Sequence, residues 1–302
     1  MISFEEFLRL RTGEIAELVK ATGPKLCVFP VNGTRRWFML EHAEKIGDDF
    51  FESYMDVSIQ NHVELCRMLF EHGIDTILAP VFGRELMRRG DEYTRRVGMD
   101  GLARTATDPT YRKFFEHYNV RVRFYGDYRE ILTGTPYEYA LRSMYEVTAA
   151  TRNNTHHRLF FGVFGDEVTE TLARLSVEHY LAEGSIPDKR TLIRRYYGEE
   201  LPPVSLFIGF DKFNVFDMPL LTTGEEDLYF SLSPSPYMTQ RQLRAILYDH
   251  LYIRPTPEPD YTQLTGAELD WLRDYYRKNK DYAFGVGKLT SRVWIPDVKN
   301  TE

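Results

Sequence analysis

Short apolar runs recur along the chain at wide intervals, and each has the length and composition of a buried β-strand. They are rich in Val, Ile, Leu and Phe without strict apolar–polar alternation, which is typical of strands covered on both faces. The pattern predicts six strands, at Lys25–Pro30, Thr76–Pro80, Val120–Tyr125, Arg158–Phe164, Val204–Ile208 and Asp227–Leu232.

Amphipathic segments with helical periodicity separate the first five strands. Between the first two, apolar residues follow one helical stripe at Ile46, Phe50, Tyr54 and Val57, and a further set follows at Ile59, Val63, Cys66 and Phe70. Further helices are predicted at Pro136–Ala150, Val168–Glu183, Lys189–Tyr197, Thr239–Ile253 and Ala267–Lys278. This alternation predicts an α/β fold, with a single mostly parallel six-stranded sheet wrapped by helices.

Two segments interrupt the alternation. The gap Gly209–Glu226 has no helical pattern, so we expect a long loop at a strand end, where function is often located. The stretch Arg254–Pro259 contains three prolines and is typical of a stiff linker. We therefore predict a main domain over residues 1–254. Residues 255–302 form a C-terminal helical appendage that packs on this domain or on a dimer partner.

Composition narrows the class of protein. The 302 residues include 45 acidic and 38 basic side chains, so the net charge is −7. A pI near 5.7 argues against a general nucleic-acid binder. No apolar stretch approaches the roughly 20 residues of a membrane span, and the charged N-terminus predicts no signal peptide. The two cysteines, Cys27 and Cys66, lie in apolar runs, as expected of buried thiols in a cytoplasmic protein.

Several common catalytic motifs are absent from the sequence. It has no GxGxxG after a strand, no P-loop and no GxSxG elbow. The acidic run Asp48–Glu52 resembles the magnesium-binding box of all-helical terpene synthases. Acidic residues also suit the start of a helix, and we favour that capping interpretation.

The segment after the first strand carries the most distinctive chemistry. Gly33 permits close backbone approach at the carboxyl end of a parallel strand, where ligands usually bind. A helix that starts there presents free N–H groups to an anion, and Arg35 and Arg36 add guanidinium groups suited to phosphate. The residue types fit two interpretations: a diphosphate cradle formed by Gly33, Thr34, Arg35 and Arg36, or a solvated arginine pair beside a turn.

The run Asn32–Trp37 resembles the first diphosphate-binding motif of cis-prenyltransferases, which begins with Asp-Gly and ends with Arg-Trp. Val120–Asp127, Asn153–Thr155 and Leu228–Phe230 resemble later elements of that family, in the same order. The resemblance is closer to a divergent diterpene synthase branch and extends over nearly the whole chain. It implies the cis-prenyltransferase fold and a homodimer.

The resemblance also implies an activity. Such enzymes ionise a bicyclic diterpene diphosphate of labdane, halimane or clerodane type, release diphosphate, and capture the allylic cation with water to give an alcohol. A transferase that joins the diterpenyl group to adenosine is one alternative, and a non-catalytic prenyl-lipid-binding subunit is another. By the same resemblance, Tyr54 and Tyr93 steer the cation and the nucleophile. Tyr54 lies on an apolar stripe, so core packing also explains its presence. Tyr93 lies in a polar run, Arg88–Tyr93, where core packing is a poorer explanation.

Two departures from the family pattern bear on this expectation. Gly209 stands where elongating members carry the first Arg of a second diphosphate site, and Lys212 is the only cation of that loop. This favours ionisation of a single substrate over condensation of two. Separately, Asp127 in the third-strand motif is either a structural turn acid or a partner of an arginine, and we favour the structural interpretation.

Asn32 is the second departure, because the family has Asp there, a residue that binds Mg²⁺ or organises the leaving group. An amide keeps an oxygen ligand but loses the charge that hard cations prefer. Three explanations are open: a weak or dispensable Mg²⁺, a variant disabled to trap substrate, or an inactive relative. The candidate catalytic residues are Asn32, Tyr54 and Tyr93.

Overall fold

The computed structural model describes residues 2–47, 49–165 and 167–297. Six strands form its central sheet: β1 at Leu26–Val28, β2 at Thr76–Phe82, β3 at Val120–Tyr125, β4 at His157–Val163, β5 at Leu206–Phe210 and β6 at Asp227–Ser231. Their order is β3–β4–β2–β1–β5–β6, and all neighbours pair in parallel. The six predicted strands and the α/β class are confirmed.

Helices cover both faces of this sheet. The α-helices are α1 Phe4–Arg9, α2 Thr12–Ala21, α3 Thr34–Glu41, α4 Phe50–Glu71, α5 Arg84–Met87, α6 Asp91–Tyr93, α7 Asp100–Thr107, α8 Pro109–His117, α9 Tyr128–Leu132, α10 Glu138–Ala150, α11 Val168–Glu183, α12 Lys189–Tyr197, α13 Gln240–Tyr248 and α14 Gly266–Asn279. Two π-helical segments, Thr94–Met99 and Asp249–Ile253, continue α6 and α13. The bounds predicted for α11 and α12 match those of the structure.

The side chains of β1 show how the sheet divides the core. Cys27 points into the larger cluster, packed with α4, α8 and α10, whereas Leu26 and Val28 point into a smaller cluster packed with α12. Strands buried on both faces need apolar residues at every position, which explains the missing alternation in the sequence. Cys27 and Cys66 are both buried with free thiols, and burial raises the pKa of each.

β1 lies between β2 and β5 and pairs in parallel with both. The chain leaves β1 toward β2 and returns on the other side as β5, so a topological switch point lies beside the carboxyl ends of β1 and β5. The turn after β1, which contains Gly33, and the loop that begins at Asp211 meet at this point.

The N-terminus of α4 lies within the acidic run and leaves one residue of the apolar stripe outside the helix. Ile46, which shares the apolar stripe, precedes the helix, because Asp49 ends the extended segment and caps α4. The Asp49 carboxylate accepts hydrogen bonds from the N–H groups of Phe51 and Glu52, at 2.9 and 3.2 Å. The capping interpretation is confirmed for Asp49, and Asp48 lies outside the described residues.

The C-terminal extension contains more than the predicted helix. After α14 it forms an antiparallel hairpin of β7 Gly287–Thr290 and β8 Val293–Pro296, which the sequence pattern did not indicate. No residue between 255 and 297 is buried, and several large apolar side chains are exposed, including Trp271, Tyr276, Phe284 and Leu289. Within the described part of the chain, no helix combines the length and apolar character that a membrane crossing requires.

Candidate active site

The chain turns sharply from β1 into α3 at Gly33, which has a φ of +77° and forms the N-cap. A Cβ atom there would lie 2.8 Å from both Phe210 Cε1 and Pro234 Cβ, so the turn requires glycine. Asn32 N–H donates to Ser235 Oγ, and Ser235 N–H donates to the Asn32 carbonyl, both at 3.0 Å. These contacts fix the turn, and the start of α3 carries the free N–H groups that bind anions.

A cavity of about 810 Å³ opens beside this turn. Its lining includes every residue that the sequence singled out as catalytic or diphosphate-binding: Asn32, Gly33, Thr34, Arg35, Arg36, Tyr54 and Tyr93. The fold therefore brings these positions together at the switch point of the sheet, although their roles remain predictions. Asp127 lies elsewhere: it is buried, accepts a hydrogen bond from Thr171 Oγ1 at 2.6 Å, and pairs with Arg174 at 3.4 Å and with Arg84 at 3.7 Å. It is therefore both a structural acid and a partner of arginines.

The cavity is basic although the chain as a whole is acidic. Among the described residues, four cationic side chains line it, and Asp211 is the single carboxylate. The cations are Arg35, Arg36, Arg89 and Lys212. Four positive charges and one negative charge give a local charge of +3, against −7 for the whole chain. Such a local field attracts a multiply charged anion.

Both arginines of the cradle lie at the cavity mouth with their guanidinium groups over aromatic rings. The Arg36 guanidinium is 5.4 Å from the centre of Phe210, and its Nη2 is 3.4 Å from Asp211 Oδ2. Arg35 lies 6.0 Å from the centre of the Phe50 ring. The rings orient the two cations while their tips stay accessible, which favours the diphosphate cradle over an arginine pair in open solvent.

Tyr54 connects the cradle to the interior of the cavity. Its Oη shares a hydrogen bond of 2.6 Å with Thr34 Oγ1, and its ring stacks on Phe50 and packs edge-on against Phe38. Burial raises the pKa of Tyr54, and the Thr34 hydrogen bond offsets this only partly, so the phenol is neutral at pH 7. Tyr54 therefore packs in the core and also lines the cavity.

Tyr93 is buried, although its polar neighbours in the sequence favoured a more open position. Its ring packs edge-on against Phe51, with ring centres 6.4 Å apart. Arg89 Nη1 donates to Tyr93 Oη at 2.9 Å, and the guanidinium lies 5.1 Å from the ring centre. Arg89 was not predicted as a site residue, and its place in the Arg88–Tyr93 run was the only available signal.

The inner part of the cavity is lined mainly by apolar and aromatic side chains, including Ile59, Leu102 and Phe161. His62 is its most polar element, with Nδ1 2.7 Å from Tyr111 Oη. Burial lowers the pKa of His62 to about 4, so the imidazole is neutral at pH 7. His62 lies beside the apolar stripe of α4, and sequence reasoning gave it no role. A neutral, ring-lined chamber suits a hydrocarbon ligand and tolerates a carbocation.

The donor groups near the cradle define what a Mg²⁺ ion could use. Within the described residues, no cluster of three or more His, Cys, Asp or Glu side chains could hold a metal by itself. The Asp211 carboxylate and the Asn32 amide are among the side-chain oxygen donors that line the cavity beside the turn. Mg²⁺ commonly binds through one or two carboxylates together with substrate phosphates. This donor set fits an ion that the diphosphate itself holds in large part.

Comparison with known proteins places the chain in a class and then in a family. Solved structures of other proteins share the fold, among them the following two. Lavandulyl diphosphate synthase from Lavandula x intermedia, in complex with dimethylallyl diphosphate, aligns with a TM-score of 0.61 and 12% identity, over 82% of this chain and 98% of that one. A probable undecaprenyl diphosphate synthase from Campylobacter jejuni gives 0.53 and 15%, over 78% and 97%. The chain therefore has the cis-prenyltransferase fold.

Two curated proteins share the sequence over almost its full length, although no family model matches it. Tuberculosinyl adenosine transferase from Mycobacterium tuberculosis (strain CDC 1551 / Oshkosh) is 40% identical over 299 residues, which is 98% of this chain and 99% of the relative. (+)-Kolavelool synthase from Herpetosiphon aurantiacus is 23% identical over 293 residues, or 94% and 93%. The chain belongs to the family of tuberculosinyl adenosine transferase and is an enzyme of the prenyl-type transferase or synthase class.

Proposed function

We propose that this enzyme ionises a bicyclic diterpene diphosphate, of labdane, halimane or clerodane type, and captures the allylic cation with water to give a diterpene alcohol. The observation that carries the proposal is the continuity of two chemically different regions in one cavity. A basic mouth lies around Gly33, and an apolar chamber extends toward Phe161. A prenyl-type diphosphate has the matching polarity, with a multiply charged head and a hydrocarbon body.

The cradle supplies the driving force for ionisation. Heterolysis breaks the allylic C–O bond, and both electrons leave with the diphosphate oxygen. The N–H groups at the start of α3, the Thr34 hydroxyl and the guanidiniums of Arg35 and Arg36 are donors for the anion that develops. Donors held in place before the reaction stabilise this charge without reorganisation, and one of them is typically worth about 3 kcal/mol in the transition state.

The chamber then protects the cation. Neutral aromatic and aliphatic walls exclude bulk water, and the ring faces tolerate positive charge. Tyr54 and Tyr93 both line the cavity, and we place them beside the allylic carbon of a substrate whose diphosphate occupies the cradle. Their phenols orient the water that adds to the cation, and the diphosphate is the strongest available base for the proton that this water loses.

The charge on the departing diphosphate is further neutralised when Mg²⁺ is bound. Asn32 and Asp211 would hold that ion together with the diphosphate. The protein's own cations already contribute much of the neutralisation, because Arg35, Arg36 and Lys212 line the mouth. We therefore propose a weak requirement for Mg²⁺.

Transfer to adenosine is the second candidate function, and a specific observation favours it. The relative with 40% identity along the whole chain is named tuberculosinyl adenosine transferase. The more distant relative is named as a synthase of an alcohol, (+)-kolavelool. The same ionisation serves both outcomes, so the acceptor alone separates them.

Product analysis tests the proposal. The purified protein is incubated with labdane- and clerodane-type diphosphates, with and without adenosine, and products are identified by mass spectrometry. We expect diphosphate release and a diterpene alcohol in both cases. Tight binding of the substrates without any release of diphosphate would instead support the prenyl-lipid-binding subunit.

We also propose that the enzyme is a homodimer. The exposed apolar side chains of the extension, such as Trp271, Tyr276 and Leu289, support this because a partner would cover them. Analytical ultracentrifugation of the full chain is expected to give a mass near 71 kDa, about twice the 35.5 kDa of one chain. A species of single-chain mass at micromolar concentration would contradict the proposal.

A further inference from the structure

A polar pair in the inner part of the cavity takes no part in the proposed ionisation. His62 of α4 and Tyr111 of α8 both line that part, and a hydrogen bond of 2.7 Å joins His62 Nδ1 to Tyr111 Oη. The two residues are only 8% and 6% exposed. Burial of polar groups costs free energy unless their hydrogen-bonding capacity is used. Apolar side chains would line a chamber for a pure hydrocarbon at lower cost.

The pair lies deep in the cavity, well away from the cradle. Tyr54, Ser58 and His62 are spaced four residues apart on α4, so they share one face of the helix, and all three line the cavity. An α-helix rises about 1.5 Å per residue, so His62 lies about 12 Å further along α4 than Tyr54. Tyr54 is itself bonded to Thr34 of the cradle. The pair therefore faces the part of a ligand that is remote from a diphosphate in the cradle.

Aromatic rings hold both members of the pair in place. The His62 ring lies 5.7 Å from the centre of the Phe161 ring, and Tyr111 packs edge-on against the same ring at 6.2 Å. Tyr111 also stacks on Phe115 at 5.5 Å. Phe161 belongs to β4, so the polar groups are anchored on the central sheet. They present a fixed site to a ligand.

The hydrogen-bonding capacity of Tyr111 is only partly used. A phenol donates one hydrogen bond and accepts two, but among the described residues His62 is the one hydrogen-bond partner of Tyr111 Oη. His62 Nε2 has a weak contact of 3.6 Å with Cys66 Sγ. If the phenol donates to His62, its lone pairs are unused, and if it accepts from His62, its own O–H is unused. In both cases a ligand with an oxygen atom can complete the set.

The charge state of the pair restricts the kind of ligand group that it can bind. Burial lowers the pKa of His62 to about 4 and raises the pKa of Tyr111, so both are neutral at pH 7. A neutral pair offers no counter-charge to a carboxylate or a phosphate. A hydroxyl group both donates and accepts, so it matches the phenol in either direction of the Tyr111–His62 bond.

We infer that His62 and Tyr111 form a binding site for a hydroxyl group of the substrate, at the end of the hydrocarbon body remote from the diphosphate. This inference rests on the proposed ionisation of a diterpene diphosphate at the cradle, and it narrows the substrate to a hydroxylated bicyclic one. Tyr111 Oη contacts the hydroxyl, and His62 orients the phenol. The reaction that supplies this substrate must therefore add oxygen to the ring system, by hydration or by oxygenation.

A set of matched substrates tests the site. The full chain is given labdane-type diphosphates that share one skeleton and carry a hydroxyl at different positions of the distal ring, or none. Diphosphate release gives kcat/KM for each. We expect at least one hydroxylated substrate to be preferred at least tenfold, because a site built to bond a hydroxyl discriminates against the analogue that lacks it. No preference for any hydroxylated substrate overturns the inference.

Two variants test the assignment to this pair. Tyr111→Phe removes a single oxygen and keeps the ring contacts, and we expect the preference for the hydroxylated substrate to fall below twofold. His62→Leu removes the partner that orients the phenol, and we expect it to lower the preference at least threefold. Retention of the full preference in either variant overturns the assignment.

Tyr118→Phe is the matched control. Tyr118 is the C-cap of α8, and its Oη donates to Glu71 Oε1 at the end of α4 at 2.6 Å, so it also links these two helices. It does not line the cavity. The control is expected to keep the preference within twofold of the unmodified enzyme. An equal loss in Tyr118→Phe would mean that a loosened contact between α4 and α8 causes the effect, and would overturn the assignment.

A binding measurement separates this inference from the proposed function. Isothermal titration calorimetry uses thiolodiphosphate analogues of the same substrates, in which sulfur replaces the bridging oxygen, so it needs no turnover. Binding of the hydroxylated analogue at least tenfold more tightly than the unsubstituted one, lost in Tyr111→Phe, supports the site even if no diterpene diphosphate is ionised. Turnover of all substrates with equal affinities overturns the site and leaves the proposed ionisation intact.

Discussion

Thr34 Oγ1 and Tyr54 Oη lie 2.6 Å apart and share a hydrogen bond that joins the diphosphate cradle to the apolar chamber. Thr34 is the first residue of α3, and Tyr54 belongs to the second turn of α4. In the proposed mechanism, this bond holds the phenol between the leaving group and the cation. It also fixes the start of α3 relative to α4.

Removal of either partner of this bond should therefore have the same consequence. We expect Tyr54→Phe and Thr34→Val each to lower kcat about tenfold, because a hydrogen bond of this kind contributes about 1 kcal/mol or more. The double variant should lose little more than either single variant, since both remove one shared bond. Steady-state kinetics on all three variants measures this coupling, and fully multiplicative losses would show that the residues act separately. Tyr145→Phe, at an exposed position, is the control.

Arg36 should be among the most important residues for ionisation. Arg36→Ala removes a forked cation from the cradle and leaves Asp211 without its arginine partner, so we expect kcat to fall at least a hundredfold. Arg36→Lys should restore only part of the rate, because a point charge does not reproduce two parallel N–H donors. Single-turnover release of diphosphate is the measurement. Arg241→Ala, at an exposed position, is the control. If Arg36→Ala turned over as fast as this control, Arg36 would have no role in ionisation.

Much of the fold was predictable because each strand and helix has a local signature. The strands are continuous apolar runs, and the ends of α12 follow from the Asp188 cap and Gly198 in the left-handed region. The hairpin near Trp294 was missed because each of its strands has only four residues, so the apolar run Val293–Ile295 is too short to indicate a strand by itself. Ile46 shares the apolar stripe but precedes α4, whose start is marked by the acidic run that contains the Asp49 cap.

Only the part of the candidate site that lies in one continuous segment was predictable from the sequence. The residues Asn32–Arg36 are consecutive, and the glycine and arginines identify them. The contacts of Phe210 and Pro234 with Gly33 span about 180 to 200 residues, so no local pattern reports them. Asp211 and Asn214 lie in a segment predicted only as a long loop. Their position follows from the pairing of β1 with β5, which is a property of the assembled sheet.

Asn32→Asp tests whether a carboxylate is missing from the cradle. The Asn32 backbone is fixed by Ser235, so the substitution changes one side-chain group without moving the turn. A second carboxylate beside Asp211 should tighten Mg²⁺ binding, so we expect kcat to rise at least tenfold at saturating Mg²⁺ and to become sensitive to EDTA. Titration of activity with Mg²⁺ for both proteins measures this. Equal rates and equal metal dependence would rule out a missing catalytic charge at this position.

Gly209 should prevent chain elongation for a structural reason. A Cβ atom there would lie 2.8 Å from Phe207 Cε1 and 2.9 Å from Phe230 Cδ1, so no longer side chain fits without displacing a buried ring. We expect no lengthened product from isopentenyl diphosphate and an allylic diphosphate. Gly209→Ala should lower stability by about 1 to 3 kcal/mol, as overpacking does. Gly266→Ala is the control, because an added Cβ there meets no atom within 4 Å, and it should leave the stability unchanged. A chain-lengthened product from the unmodified enzyme would contradict the single-substrate mechanism.

His62 should make the stability of the enzyme depend on pH below neutrality. Its pKa is lowered by burial from 6.5 to about 4, so between these values the unfolded chain binds a proton that the folded chain does not. Stability from this group is complete above pH 6.5 and is lost as the pH falls to about 4, by an amount of about 3 kcal/mol. We expect His62→Gln to flatten the decline of Tm between pH 6.5 and pH 4, measured by differential scanning fluorimetry. His117→Gln, at an exposed position, should follow the unmodified protein, and a His62→Gln profile as steep as the control would show that other groups cause the decline.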